Sequence, residues 1–118
     1  MNIEKLKQCE PMTQVVFIHD YIQLVFQDCR INVYNTAQIT TSDGVIVLQN
    51  NPGFADQTVN LLEQKITSAY ISESRELSLC FTNGTKFKTL NSPEHCHGPE
   101  AFEASGSPLT EWVVEQNA

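Results

Sequence analysis

Positive charge is scarce in this chain. Seven Lys and Arg stand against fourteen Asp and Glu, a formal net charge of −7. No base occurs between Arg30 and Lys65, and none follows Lys88. The last thirty residues carry Glu94, Glu100, Glu103, Glu111 and Glu115 unopposed. Such a surface repels phosphate backbones and anionic lipid, so neither nucleic acid nor a membrane is an expected partner. It attracts a basic protein and speeds the encounter.

Long apolar runs are also missing, and none approaches the roughly 20 residues that cross a bilayer. The start, Met1 to Gln8, has no apolar h-region and no small-residue cleavage site, which predicts a cytoplasmic protein. Four cysteines without an export signal are then expected as reduced thiols, Cys29 in a turn, Cys80 mid-strand, Cys9 and Cys96 in loops. No pair has CxxC spacing, which removes the usual zinc-ribbon and thioredoxin-like arrangements. GxSxG, the P-loop, the dinucleotide fingerprint and HExxH are absent too. The expectation is a protein that is not an enzyme, with no catalytic residues and no cofactor.

What is present is a β-hairpin written twice. Ile22, Leu24 and Phe26 alternate up to the turn pair Asp28-Cys29, and Leu77, Leu79 and Phe81 alternate up to Asn83-Gly84. Asn-Gly after alternating apolar residues is the strongest short-range hairpin signal, because both central turn residues need positive φ. Around these hairpins the chain reads as one domain. Residues 1–12 are a flexible segment or short helix, 13–34 a first β unit, and 35–65 a connector. Residues 66–90 are a second β unit and 91–118 a loop-rich tail.

In the connector, Ile39-Thr40-Thr41 and Val45 to Leu48 flank the turn triplet Ser42-Asp43-Gly44 and suggest another hairpin. Past the breaker Asn50-Asn51-Pro52-Gly53, apolar residues at 3–4 spacing predict one helix at about 54–64. In the tail, Ala101 to Ala104 is a piece that could add to a sheet edge, and Trp112 to Val114 a last strand or an anchor. The fold class is α+β, mainly β. Two antiparallel β-meander units form a half-open sheet or flattened barrel, with one helix.

Chemistry-bearing clusters are few. His95-Cys96-His97 lies between Pro93 and Pro99 and offers zinc-type ligands, but a site needs three or four that converge. A third would have to come from His19 or Cys9. The preferred reading is an exposed loop with solvated histidines and no metal. Cys96 sits among Glu94, Glu100 and Glu103, an acidic setting that disfavours a reactive thiolate. Tyr21 and Tyr34 fall on the strand face opposite the core stripe, together with Gln23, Arg30 and Asn32, which makes that face a candidate partner surface.

Gln57-Thr58-Val59, Ile66 to Ala69, Leu77 to Thr85 and Pro99-Glu100-Ala101-Phe102-Glu103 resemble a type of small bacterial protein. In it a hairpin of pattern L-x-L-x-F-x-(D/N)-G precedes a P-E-A-(aromatic)-E segment. Several such proteins look like immunity proteins of polymorphic-toxin and contact-dependent growth inhibition systems. The resemblance spans roughly residues 57–104, with the first hairpin as a partial echo that lacks the turn Gly at Asp28-Cys29. It implies a protein that neutralises a cognate toxin domain, such as a nuclease, by protein–protein contact. With the acidic surface, the expected contacts are Glu73, Glu76, Glu94, Glu100 and Glu103, joined by Tyr21 and Tyr34. The alternative is a small ligand- or metal-binding β-domain, or a non-catalytic subunit of a larger complex.

Overall fold

Strands form where apolar residues recur at every second position, since successive side chains of a strand point to opposite faces. The computed structural model describes residues 2–117, which form ten strands, one α-helix and two 3-10 helices. The first meander is β1 (Met12–Ile18), β2 (Tyr21–Phe26) and β3 (Cys29–Val33). A hairpin of β4 (Ala37–Thr40) and β5 (Ile46–Leu48) follows, then α1 (Phe54–Val59). The second meander is β6 (Ile66–Ile71), β7 (Leu77–Phe81) and β8 (Lys86–Thr89). The chain ends with β9 (Glu100–Gly106) and β10 (Val113–Gln116).

These strands make two five-stranded antiparallel sheets, in the orders β1-β2-β3-β9-β10 and β5-β4-β8-β7-β6. The class expected from the sequence, α+β and mainly β with two meanders and one helix, is the class observed. Each meander lies in its own sheet, and the sheets do not close into a barrel. Their inner stripes, Ile22/Leu24/Phe26 and Leu77/Leu79/Phe81, meet in one hydrophobic core with Ile31, Val33, Ile39, Phe87 and Phe102. No helix among the described residues is long and apolar enough to cross a membrane.

Several elements depart from the sequence reading. Residues 3–8 form a 3-10 helix that buries Ile3 and Leu6. Helix α1 has 6 residues and stops well short of residue 64. Within it, the Thr58 hydroxyl donates to the Phe54 carbonyl at 2.8 Å, a side-chain bond that competes with helix continuation. The segment expected to be loop with a possible edge piece is β9, a central strand of 7 residues between β3 and β10. Of the two readings of Trp112 to Val114, the last strand forms as β10 from Val113, whereas Trp112 before it is 68% exposed and is no anchor. The cysteines also differ from expectation. Cys9 and Cys29 are joined in a disulfide, while Cys80 and Cys96 are free. The bridge closes a loop of sequence separation 20, a length that stabilises by about 3 kcal/mol in the chain-entropy account. Reduced cysteines thus lend no support to a cytoplasmic location.

The chain passes between the sheets twice, at Tyr34–Thr36 and at Leu90–Pro99, and the two passages lie side by side because β3 pairs with β9 and β4 with β8. Backbone bonds tie them. Tyr34 N–H and Asn35 N–H both donate to the Ala101 carbonyl, and Leu90 N–H donates to the Thr36 carbonyl. Asn35, 1% exposed, stands between them. Its amide donates to the Leu90 carbonyl at 2.9 Å and exchanges hydrogen bonds with the Asn117 amide at 2.8 and 3.0 Å. A second tie runs from the β6–β7 turn to β10. Arg75 donates from Nε to Glu115 Oε2 at 2.9 Å and from Nη2 to Oε1 at 2.6 Å. The bidentate geometry makes this the strongest ion pair of the fold.

At the opposite end, Gly106 pairs with Cys29 across β3 and β9 at φ +144°, where a Cβ would clash with the Asp28 carbonyl oxygen and with Cys29 Cα and Cβ. Gly106→Ala should destabilise the fold by about 2 kcal/mol or more through backbone strain and overpacking. Urea unfolding reads this as a lowered midpoint with an unchanged slope.

Candidate functional site

The outer face of the first sheet carries a polar ladder. Gln23 faces Asn32, and Asn32 faces Glu103, in cross-strand register. Gln23 Nε2 donates to Asn32 Oδ1 at 2.9 Å, and Asn32 Nδ2 donates to Glu103 Oε1 at 2.9 Å. The Tyr34 hydroxyl donates to the same oxygen at 3.1 Å. Tyr21 packs beside Tyr34 with ring centroids 5.3 Å apart and planes tilted by 50°. Val16 and Val114 flank the row as the cross-strand neighbours of Gln23 and Glu103. Three of the expected contact residues, Tyr21, Tyr34 and Glu103, are thus one cluster.

Beyond Tyr34 this face runs into a cleft of about 390 Å³, lined by His19, Asp20, Tyr34, Gln49, His97, Gly98, Pro99 and Glu100. Local chemistry sets each wall. His19-Asp20 is the tight β1–β2 turn, with His19 Nε2 3.6 Å from Asp20 Oδ1. Gln49 closes the β4 end, its Oε1 accepting from Ala37 N–H at 2.9 Å. The 97–99 wall is held from behind. Asn117 Nδ2 donates to the Gly98 carbonyl at 2.8 Å, and Asn117 N–H donates to the Pro99 carbonyl at 2.8 Å. His97 Nε2 lies 2.9 Å from the Thr36 hydroxyl. Asp20 and Glu100 supply the carboxylates, and no Lys or Arg lines the cleft.

The remaining expected residues lie elsewhere at the same end. Glu73 is exposed in the β6–β7 turn. Glu76 is occupied internally, accepting from Asn91 N–H at 3.3 Å and lying 3.7 Å from Lys88 Nζ. Glu94 is exposed in the short 3-10 helix Pro93–His95. The Ser92 hydroxyl beside it, then its own backbone N–H, hold the Glu94 carboxyl below the ordinary range. The His95-Cys96-His97 triplet is not a free loop. The His95 carbonyl accepts from Thr36 N–H, and the Cys96 thiol points toward the Asn91 and Ser92 carbonyls at 3.6 and 3.5 Å.

Among the described residues, the one group of three ligand-type side chains that converges is Cys9, Asp28 and Cys29. The triplet therefore gains no third ligand from His19 or Cys9. Sequence reasoning missed Asp20, Gln49 and the Asn35–Asn117 pair. Their partners are far away in the chain, so no local pattern marks them.

Burial, then the hydrogen bond and charge of Glu103, raise the Tyr34 hydroxyl above its ordinary value of 10.0. A raised acid is the neutral donor in the fold. Its contribution to stability is complete below the unfolded value and is lost as pH rises through the folded one. Stability should fall in alkali above about pH 10. Tyr34→Phe should flatten that fall and remove one late tyrosinate transition from an ultraviolet absorbance titration.

No protein-family profile, curated protein or solved structure matches this chain, so the likeness to immunity proteins rests on its hairpin and P-E-A-aromatic-E residues alone.

Proposed function

We propose that this protein is a non-catalytic binding domain that captures a cationic group, an ammonium or a guanidinium, in the cleft between the His19-Asp20 turn and the His97–Glu100 wall. The observation that carries this reading is the lining itself: Asp20 and Glu100 beside Tyr34, with no Lys or Arg among the lining residues. Paired carboxylates accept a guanidinium or ammonium through charge-assisted bonds, and an aromatic face adds a cation–π contribution. The other polar groups serve as walls. The Tyr34 hydroxyl is held by Glu103 and His97 Nε2 by Thr36, an arrangement unlike a nucleophile paired with its base.

The same chemistry has two sources, a small amine or a Lys or Arg side chain on a protein surface. The second is the immunity reading, in which a basic toxin domain docks on this end. Its support is the net charge of −7 and the placing of Asp20, Glu73, Glu94 and Glu100 at one end of the fold. A cytoplasmic location carries into this reading as a proposal. There the Cys9–Cys29 pair would be reduced for much of its life.

Titration of the full chain with agmatine, followed by amide NMR, should shift the signals of His19, Gly98 and Glu100. Glu100→Gln should weaken binding about fivefold, the scale of a partly exposed charge-assisted bond. Response to an Arg-containing octapeptide but not to agmatine would place the source on a protein. Response to neither would reject the reading.

A further inference from the structure

Cys9, Asp28 and Cys29 bring two sulfurs and a carboxylate oxygen within 4.8 Å of one another. We propose that this cluster is a redox-gated metal site. With the Cys9–Cys29 bond reduced, the two thiolates and Asp28 hold one thiophilic divalent ion of the zinc type. Exchange with a small-molecule disulfide, which takes the two electrons, picks up two protons from solvent and leaves as two thiols, re-forms the bond and expels the ion. A dithiol reductant supplies two electrons and two protons, converting the disulfide to two thiols and becoming a disulfide itself. The incoming metal then displaces the two thiol protons to solvent.

The scaffold holds the three residues in place without the sulfur–sulfur bond. The Cys9 N–H donates to the Leu6 carbonyl at 3.0 Å, closing the N-terminal 3-10 helix. Cys29 opens β3 and is registered against Gly106. Their Cα atoms lie 6.4 Å apart, so side-chain rotation alone can open the sulfurs around an ion. Asp28 Oδ1 accepts from Glu10 N–H at 3.0 Å, and the Asp28 carbonyl accepts from Ser107 N–H at 3.0 Å. The first bond joins the N-terminal segment to the β2–β3 turn and the second joins that turn to the segment after β9, both independently of the disulfide. They also orient the carboxylate as a second-shell donor does in metal sites, leaving Oδ2 for the ion.

Cys9 is fully buried and Cys29 nearly so. Two buried thiolates side by side are costly without a compensating cation. A cavity of about 300 Å³ adjoins Asp28 and Cys29 and is lined also by Arg30, Ser105 and Gly106. It has room for water as a fourth ligand. Two sulfurs, one oxygen and one water suit a tetrahedral zinc-type ion with an open position.

The test uses the full chain carrying Cys80→Ser and Cys96→Ser, which removes the two free thiols. The protein is reduced with dithiothreitol, freed of it under anaerobic conditions and titrated with Co(II). One ion per chain should produce thiolate-to-cobalt charge transfer and tetrahedral d–d bands, which added Zn(II) abolishes and the oxidised protein never shows. Asp28→Asn keeps the acceptor for Glu10 N–H and should weaken Co(II) binding about tenfold or more. Cys29→Ser should lose the bands. Absence of the bands in folded reduced protein at excess Co(II) would overturn the proposal. Should reduction unfold the chain, recovery of far-ultraviolet circular dichroism on adding Zn(II) would support it, and no recovery would overturn it.

Discussion

The constraint on which the rest of the structure depends is the corner where two neighbouring pairs of strands leave one sheet for the other. A backbone changing sheets must give up its ladder, and the groups it frees cannot be buried unpaired. Asn35 resolves this with one side chain. Its amide takes up the Leu90 carbonyl of the second passage, and its reciprocal pair with Asn117 brings in the C-terminal segment. Because β3 lies beside β9 and β4 beside β8, this single corner sets the register of both sheets. The cleft is a by-product of the corner. Its 97–99 wall stands where Asn117 holds it, and its Tyr34 side is where the first passage begins.

Seven of the fourteen acids divide into two groups once the fold is formed. Glu76, Glu103 and Glu115 are used internally, satisfying a backbone N–H, a polar ladder and Arg75. Asp20, Glu73, Glu94 and Glu100 face outward at the end that also carries all three histidines. The bases are similarly divided, since Arg75 and Lys88 are both paired with glutamates. Among the described residues, the exposed carboxylates at that end therefore have no Lys or Arg partner. Local charge and a low-dielectric wall govern the potential that a cation meets.

Much of the fold was legible in the residues. The two stripes of alternating apolar side chains and the β4–β5 hairpin follow from local rules, because register is set by period and turn chemistry over a few residues. The turn at Asn83-Gly84 also forms, but only Gly84 takes positive φ there, not both residues as expected. Strand β9 was legible only as a short edge piece over Ala101 to Ala104, not as a central strand of 7 residues. Ala101, Phe102 and Ala104 are all buried. Ala101 breaks the alternation that Phe102 to Ser105 otherwise keeps, and small residues carry little strand propensity. The 3-10 helix was half legible in Ile3 and Leu6, whose spacing of three suits its period.

Cys9 and Cys29 were misread because compartment arguments rest on segments flanking a domain, whereas pairing is decided by where the N-terminal helix docks. At the site, the tyrosine face was visible from strand parity. The cleft was not, because its walls come from four separate connections brought together by the corner.

The Cys9–Cys29 link makes the first hairpin a covalently closed ring spanning β1 and β2. Tension applied to the chain ahead of residue 9 would pass through the sulfur bridge straight into β3, bypassing everything between. The β1–β2 hairpin is therefore outside the load path of any machine that pulls from the N-terminal side. Threading would have to admit two chain segments abreast at the bridge, or wait for its reduction. Resistance to such pulling is governed by the rate of unfolding rather than by equilibrium stability. Oxidation state would then decide how far extraction proceeds even where it leaves the folded shape unchanged.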